Sequence, residues 1–115
     1  MMMDCIFCKI IAGDIPSEWV LEDDGFVAIR DINPKSAVHV LVMPREHVRS
    51  LDDVAGWHDE GTGQRMLEFV VRAAEVLGIR ESGYRVITNA GPDSGQEVDH
   101  LHLHVMGGER LGDFH

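Results

Sequence analysis

Three histidines stand at alternate positions near the end of the chain, in His100-Leu101-His102-Leu103-His104. Along an extended strand, side chains two residues apart share a face and lie about 7 Å from one to the next. Extended backbone here gathers three imidazoles on one face and turns Leu101, Leu103 and Val105 toward a core. Thr, Lys and Glu would serve a merely solvated face, so the triplet points to chemistry. One reading is a metal cluster of three histidines. The other is a catalytic face, with one imidazole as nucleophile and its neighbours orienting it or carrying protons. Asn89, Gly91, Ser94, Gly95 and Gln96 form a small-residue loop just before the triplet. Such a loop brings backbone N–H groups and short polar side chains to a ligand oxygen, which favours the catalytic face.

Cys5 and Cys8 make a second pattern, C-x-x-C. A redox pair, two structural thiols in a first helix, and half of a zinc site all fit it. Redox pairs usually follow a strand, and none precedes this one. Zinc would need two further ligands to close a tetrahedron, and His47 and His100 are the candidates. His58 and His115 belong to no motif and read as surface residues.

The elements that must position these groups can be read from patterning. Residues 5–12 predict a short helix ended by Gly13, followed by a turn at Ile15-Pro16. Strands are expected over 18–22 and 26–30, around the turn Asp23-Asp24-Gly25. The apolar, β-branched run 38–43 suits a buried central strand carrying His39, and Pro44 ends it. Ser50-Leu51-Asp52-Asp53 resembles a capped helix start with acids in its first turn. The main helix is expected over 62–77, with Met66, Val70, Ala73, Ala74 and Leu77 on one face and Gly78 as its stop. Strands over 84–89 and 98–106 flank the loop Gly91–Gly95. The order predicts an α+β domain, an antiparallel sheet with helices on one side.

With 115 residues, the chain is expected to form one domain, 1–115. Hydrophobic residues are 44% and charged residues 26%, a globular balance that excludes disorder. There is no apolar run of membrane-span length and no signal-peptide pattern, so no membrane partner is expected. Twenty acids against ten bases give a formal charge of −10, which argues against a general nucleic-acid binder. Two cysteines without an export signal predict the reducing cytoplasm, where thiols stay free or bind metal.

Gly95-Gln96-Glu97-Val98-Asp99-His100-Leu101-His102-Leu103-His104-Val105 resembles the signature of the histidine-triad superfamily. CIFCKIIAGDIP at 5–16, Asp31-Ile32-Asn33-Pro34, HVLVMPREH at 39–47 and GGERLG at 107–112 resemble the same family in the same order. The likeness runs from Cys5 to about Gly112. It points to the bacterial nucleotide-binding branch, whose members are purine nucleoside phosphoramidases. The resemblance implies a HIT-like fold: a five-stranded antiparallel sheet with one long and one short helix, the sheet extended across a homodimer.

It further implies that His102 attacks the α-phosphorus and forms a nucleotidyl-histidine, which water resolves to a nucleoside monophosphate. His104 would contact phosphate oxygens, with His39 and His100 supporting. Asp31 would bind the ribose hydroxyls and Asn89 would lie near phosphate and ribose. Phe7, Ile10, Ile15, Ile29 and Ile32 would line the base pocket, and Gly95, Gln96 and Glu97 the phosphate loop. Zinc in some bacterial members implies a structural ion on Cys5, Cys8, His47 and His100. Two departures stand out. Glu97 replaces a hydroxyl residue common in relatives, and a carboxylate can only accept where a hydroxyl can donate to the leaving group. Asp99 replaces a common aromatic. The rival readings are a dinucleoside polyphosphate hydrolase of the same superfamily and a nucleotide-binding regulatory module with little turnover.

Overall fold

The computed structural model describes residues 5–57 and 59–113. His58 and His115, read above as surface residues, lie outside the described residues. The apolar run of the chain's first half becomes β3 (Val38–Pro44), which is buried after its first residue. Only a central strand covered on both faces suits such a run. It lies in the middle of a five-stranded antiparallel sheet with β1 (Trp19–Glu22), β2 (Phe26–Arg30), β4 (Tyr84–Ile87) and β5 (Leu103–Gly107), in the order β1-β2-β3-β5-β4. β2 pairs with β3 from Phe26↔Pro44 to Arg30↔Val40, and β5 pairs with β3 from Val38↔Gly107 to Val42↔Leu103. This register sets Leu41 directly opposite His104, and His39 opposite Met106.

Alternation along these strands sorts the core into two clusters. Ala28, Val40, Val42, Leu103 and Val105 face α2 (Thr62–Val76), which covers them with Met66, Phe69, Val70, Ala73 and Ala74. Val27, Ile29, Leu41 and Met43 face the other way and are covered by Phe7 and Ile10 of α1 (Ile6–Ile11). Each large apolar side chain buried this way contributes about 1.5–3 kcal/mol. The expected arrangement of helices on one side is therefore corrected: α1 and α2 lie on opposite faces. Strands β2 and β3 are apolar on both faces, so each face needs a cover.

Predicted boundaries mostly stand. α1 starts one residue inside the expected span, with Cys5 as its cap, and α2 ends at Val76, just before Gly78 at φ 74°. Ser50 caps a 3-10 helix, Leu51–Gly56, its side chain accepting from the Asp52 N–H. Two expectations are corrected. The last strand is not 98–106: pairing begins only at Leu103. The backbone of 100–102 is engaged elsewhere, with Leu101 N–H donating to the Val48 carbonyl at 2.8 Å. β4 stops at Ile87 rather than 89, because the next residue, Thr88, turns its hydroxyl onto the His102 carbonyl at 2.8 Å. No helix among the described residues is long and apolar enough to cross a membrane.

Candidate active site

Leu101 and Leu103 are buried in the α2-side cluster, so the histidines that alternate with them face the opposite side, as alternation requires. The spacing thus survives where the ladder does not. His100 is fully buried and His102 is 8% exposed. The rings of His102 and His104 stand 5.2 Å apart, and those of His104 and His39 also 5.2 Å.

Backbone groups decide which ring nitrogen carries each proton. His102 Nδ1 lies 2.7 Å from the His100 carbonyl. A carbonyl only accepts, so Nδ1 carries the proton and Nε2 keeps its lone pair. That Nε2 makes no hydrogen bond among the described residues. His39 Nδ1 accepts from the Lys35 N–H at 3.0 Å, so its proton sits on Nε2. From there it donates to His104 Nδ1 at 2.9 Å, with Asp31 Oδ2 3.3 Å from the same nitrogen. His104 therefore accepts at Nδ1 and presents Nε2–H as a donor. A ring with a lone pair at Nε2 and a ring with a proton at Nε2 thus lie side by side in complementary tautomers.

Burial, the leading cause, lowers the pKa of His39, His100 and His104. For His104 the value falls to about 4, with the neighbouring His102 and His39 adding to the effect. Nearby positive charge disfavours a further proton, and these rings are held neutral near pH 7.

Asp31 also accepts from the Asn33 N–H at 2.8 Å, in the turn that opens the Asn33-Pro34 loop. Phe7 sets its ring 5.0 Å from that of His102 at 78°. Ile10 and Ile29 are buried beside it and Ile15 packs against them, whereas Ile32 is 88% exposed. Asn89 is half-buried just past β4. The Gln96 side chain braces the loop: it accepts from the Gly91 N–H and donates to the Arg49 and Val98 carbonyls. Gly95 and Glu97 are exposed. Glu97, Asp99, Cys5, Ile6 and Val98 line a cleft of about 360 Å³.

Cys5, Cys8, His47 and His100 converge, all four ligand atoms lying within 4.8 Å of one another. His100 Nδ1 is 3.4 Å from Cys5 Sγ, and His47 Nδ1 is 3.2 Å from Cys8 Sγ. His100 Nε2–H donates to the Pro44 carbonyl at 2.9 Å, which leaves Nδ1 as a lone pair aimed at the sulfurs. Burial and the adjacent Cys5 push the Cys8 thiol up to about 11. Two thiols and two imidazoles, that of His100 with its lone pair already turned inward, suit a tetrahedral zinc ion, whose charge would favour the thiolates.

The chain pattern carried no sign of Thr88, the Lys35 N–H or the Pro44 carbonyl, which fix the histidine backbone and tautomers. Two of the three are main-chain groups that every residue offers, and the folded backbone alone singles them out.

A family profile for the HIT domain matches residues 12–111. The purine nucleoside phosphoramidase of Escherichia coli (strain K12) is 42% identical over 112 residues, covering 97% of this chain and 93% of that protein. A histidine triad protein from Clostridium difficile superposes with a TM-score of 0.89 at 42% identity, covering 98% of this chain and 97% of the other. A HIT family hydrolase from Clostridium thermocellum superposes at 0.87 with 41% identity, over 99% and 98%. Together with the alternating histidines and the antiparallel sheet that carries them, these likenesses place the chain in the HIT domain family.

Proposed function

We propose that the chain hydrolyses purine nucleoside 5′-phosphoramidates. The observation that carries this reading is His102, whose Nδ1–H is committed to the His100 carbonyl and whose Nε2 keeps its lone pair, with no hydrogen bond among the described residues. Imidazole in that tautomer is a nucleophile for phosphorus, and a covalent step splits one hard displacement into two easier ones. His102 Nε2 attacks the α-phosphorus, the P–N bond breaks, and the leaving amine departs with its electron pair and gains a proton from its surroundings. The His104 Nε2–H donates to a phosphoryl oxygen as charge develops there. Water then attacks the nucleotidyl-histidine, His102 departs, and the nucleoside monophosphate leaves.

Asp31 accepts from the ribose hydroxyls, with Asn89 near ribose and phosphate. Phe7, Ile10, Ile15, Ile29 and Ile32 line the purine side, Ile32 closing onto the base from the surface. Gly95, Gln96 and Glu97 shape the phosphate loop. Cys5, Cys8, His47 and His100 would hold a zinc ion, which would supply a structural cross-link and no reaction chemistry, since all four positions would be filled by protein. A cytoplasmic homodimer with its sheets joined edge to edge completes the reading. Turnover of adenosine 5′-phosphoramidate against diadenosine polyphosphates by the purified protein tests it. Faster hydrolysis of the polyphosphates would replace it with the rival hydrolase.

A further inference from the structure

Three groups hold the His102 ring: the His100 carbonyl at 2.7 Å, the His104 ring at 5.2 Å and the Phe7 ring at 5.0 Å. Phe7 meets His100 in the same edge-on manner, 5.9 Å away at 81°. It sits in α1 between the two cysteines, and α1 is six residues long. A helix that short does not hold itself in place. Its tethers are the burial of Phe7 and Ile10 and the contacts of Cys5 and Cys8 with His100 and His47.

The His100 carbonyl does not depend on those thiols. His100 is fully buried, its Nε2–H is bonded to Pro44, and the next residue is bonded through its N–H to Val48. Loosening the cysteines therefore frees α1 and its aromatic ring, while the carbonyl stays where it is.

We propose that Phe7 is a positioning residue for the nucleophile His102, and that metal bound at the Cys5–Cys8–His47–His100 cluster acts on the reaction chiefly through it. This rests on the nucleophile and zinc assignments above. With α1 pinned at both cysteines, the Phe7 ring closes one side of the imidazole and limits its rotation. With α1 loose, His102 samples orientations that do not face the phosphorus.

The experiment is a cycle of wild type and Phe7→Leu, each zinc-loaded and chelator-stripped, with metal content and melting temperature recorded. Leucine keeps apolar bulk and lacks the ring edge. Stripping should lower wild-type kcat about tenfold, the scale on which support of a site acts, beyond any change in AMP affinity read by calorimetry. Loaded Phe7→Leu should start at that lower kcat and lose little more on stripping. The nuclear Overhauser contact between the Phe7 and His102 rings should weaken when wild-type protein is stripped. That contact needs no turnover, so it decides the inference even if the leucine variant unfolds. Additive losses around the cycle, or a ring contact indifferent to metal, overturn it. So does a Phe7→Leu variant with raised KM and intact kcat, the mark of a plain base-pocket wall, or a wild type that takes up no zinc. A loaded wild type that forms no nucleotidyl adduct on His102 would instead overturn the reaction assigned above.

Discussion

Each histidine of the site has two ring nitrogens with separate duties, and a neighbouring group assigns them. His102 gives Nδ1–H to a carbonyl and keeps a lone pair at Nε2, for attack in the proposed reaction; His104 accepts at Nδ1 and keeps Nε2–H for donation. Replacing His102 by alanine removes the proposed nucleophile and nothing proposed to bind the sugar. Turnover should vanish, with AMP affinity kept within about tenfold, or about 1.4 kcal/mol. Quenched wild-type enzyme should carry a nucleotidyl adduct on His102 by mass spectrometry. Asp31 faces a different test, because it already caps a turn at Asn33 and approaches His39. If it also holds ribose, Asp31→Asn should weaken ribonucleotides more than 2′,3′-dideoxy analogues, by about 1.5–3 kcal/mol for each charged hydrogen bond lost. Equal weakening of both ligand classes would confine Asp31 to its structural contacts.

At the scale of elements, α2 and α1 carry unequal loads. α2 seals one face of the sheet with Phe69, which is fully buried against Phe26. Phe69→Ala should cost about 3–5 kcal/mol in chemical denaturation, through lost burial and the cavity left behind. α1 is the weaker element, and the thiols it contributes make its stability depend on pH and metal. Without metal, Cys8 holds its proton to about 11 against an ordinary 9.0. The unfolded chain releases that proton first, so metal-free stability should fall as pH rises from about 9 toward about 11. With zinc bound the trend reverses, because the ion favours the thiolates. Cys5→Ser, Cys8→Ser protein should lack zinc by elemental analysis and melt below the loaded wild type. Equal metal content and melting temperature in both proteins would reduce the pair to ordinary thiols.

For the molecule as a whole, neutral buried imidazoles set the acid limit. His39, His100 and His104 are all depressed below the ordinary 6.5, His104 to about 4. Unfolded histidines take up protons near 6.5 and the folded ones only at lower pH, so protons favour unfolding. Stability should be full above about 6.5 and decline as pH falls toward about 4, which thermal melts across that window would reveal. A flat profile would mean that the rings protonate without cost. The proposed homodimer is also a whole-molecule matter. β4 forms one edge of the sheet with Val86 exposed upon it, and charge on an edge strand blocks pairing. Sedimentation of wild type at twice the chain mass, and of Val86→Lys at the single mass, would support joining through that edge. A wild type that sediments as a single chain would remove the dimer from the reading.

Local patterning was enough to find α2, β2 and β3 and to set His100, His102 and His104 on one face, because side-chain direction repeats along any extended backbone. It also marked Cys5, Cys8, His47 and His100 as possible ligands, although only their order along the chain was visible. What patterning could not convey was partnership. The strand over 98–106 looked continuous, yet its first half leaves the ladder, because ladder pairing depends on what the neighbouring chain offers and Pro44 gives its carbonyl to a ring. The side of the sheet that α1 covers was equally hidden. Apolar residues on both faces of β2 and β3 call for two covers, and a six-residue helix with two buried side chains does not say which it will be. Two of the tautomers belong to tertiary structure. A histidine in a sequence is symmetric between its two nitrogens, and only the Pro44 carbonyl beside His100 and the His39 ring beside His104, each brought within 2.9 Å by the fold, make them different.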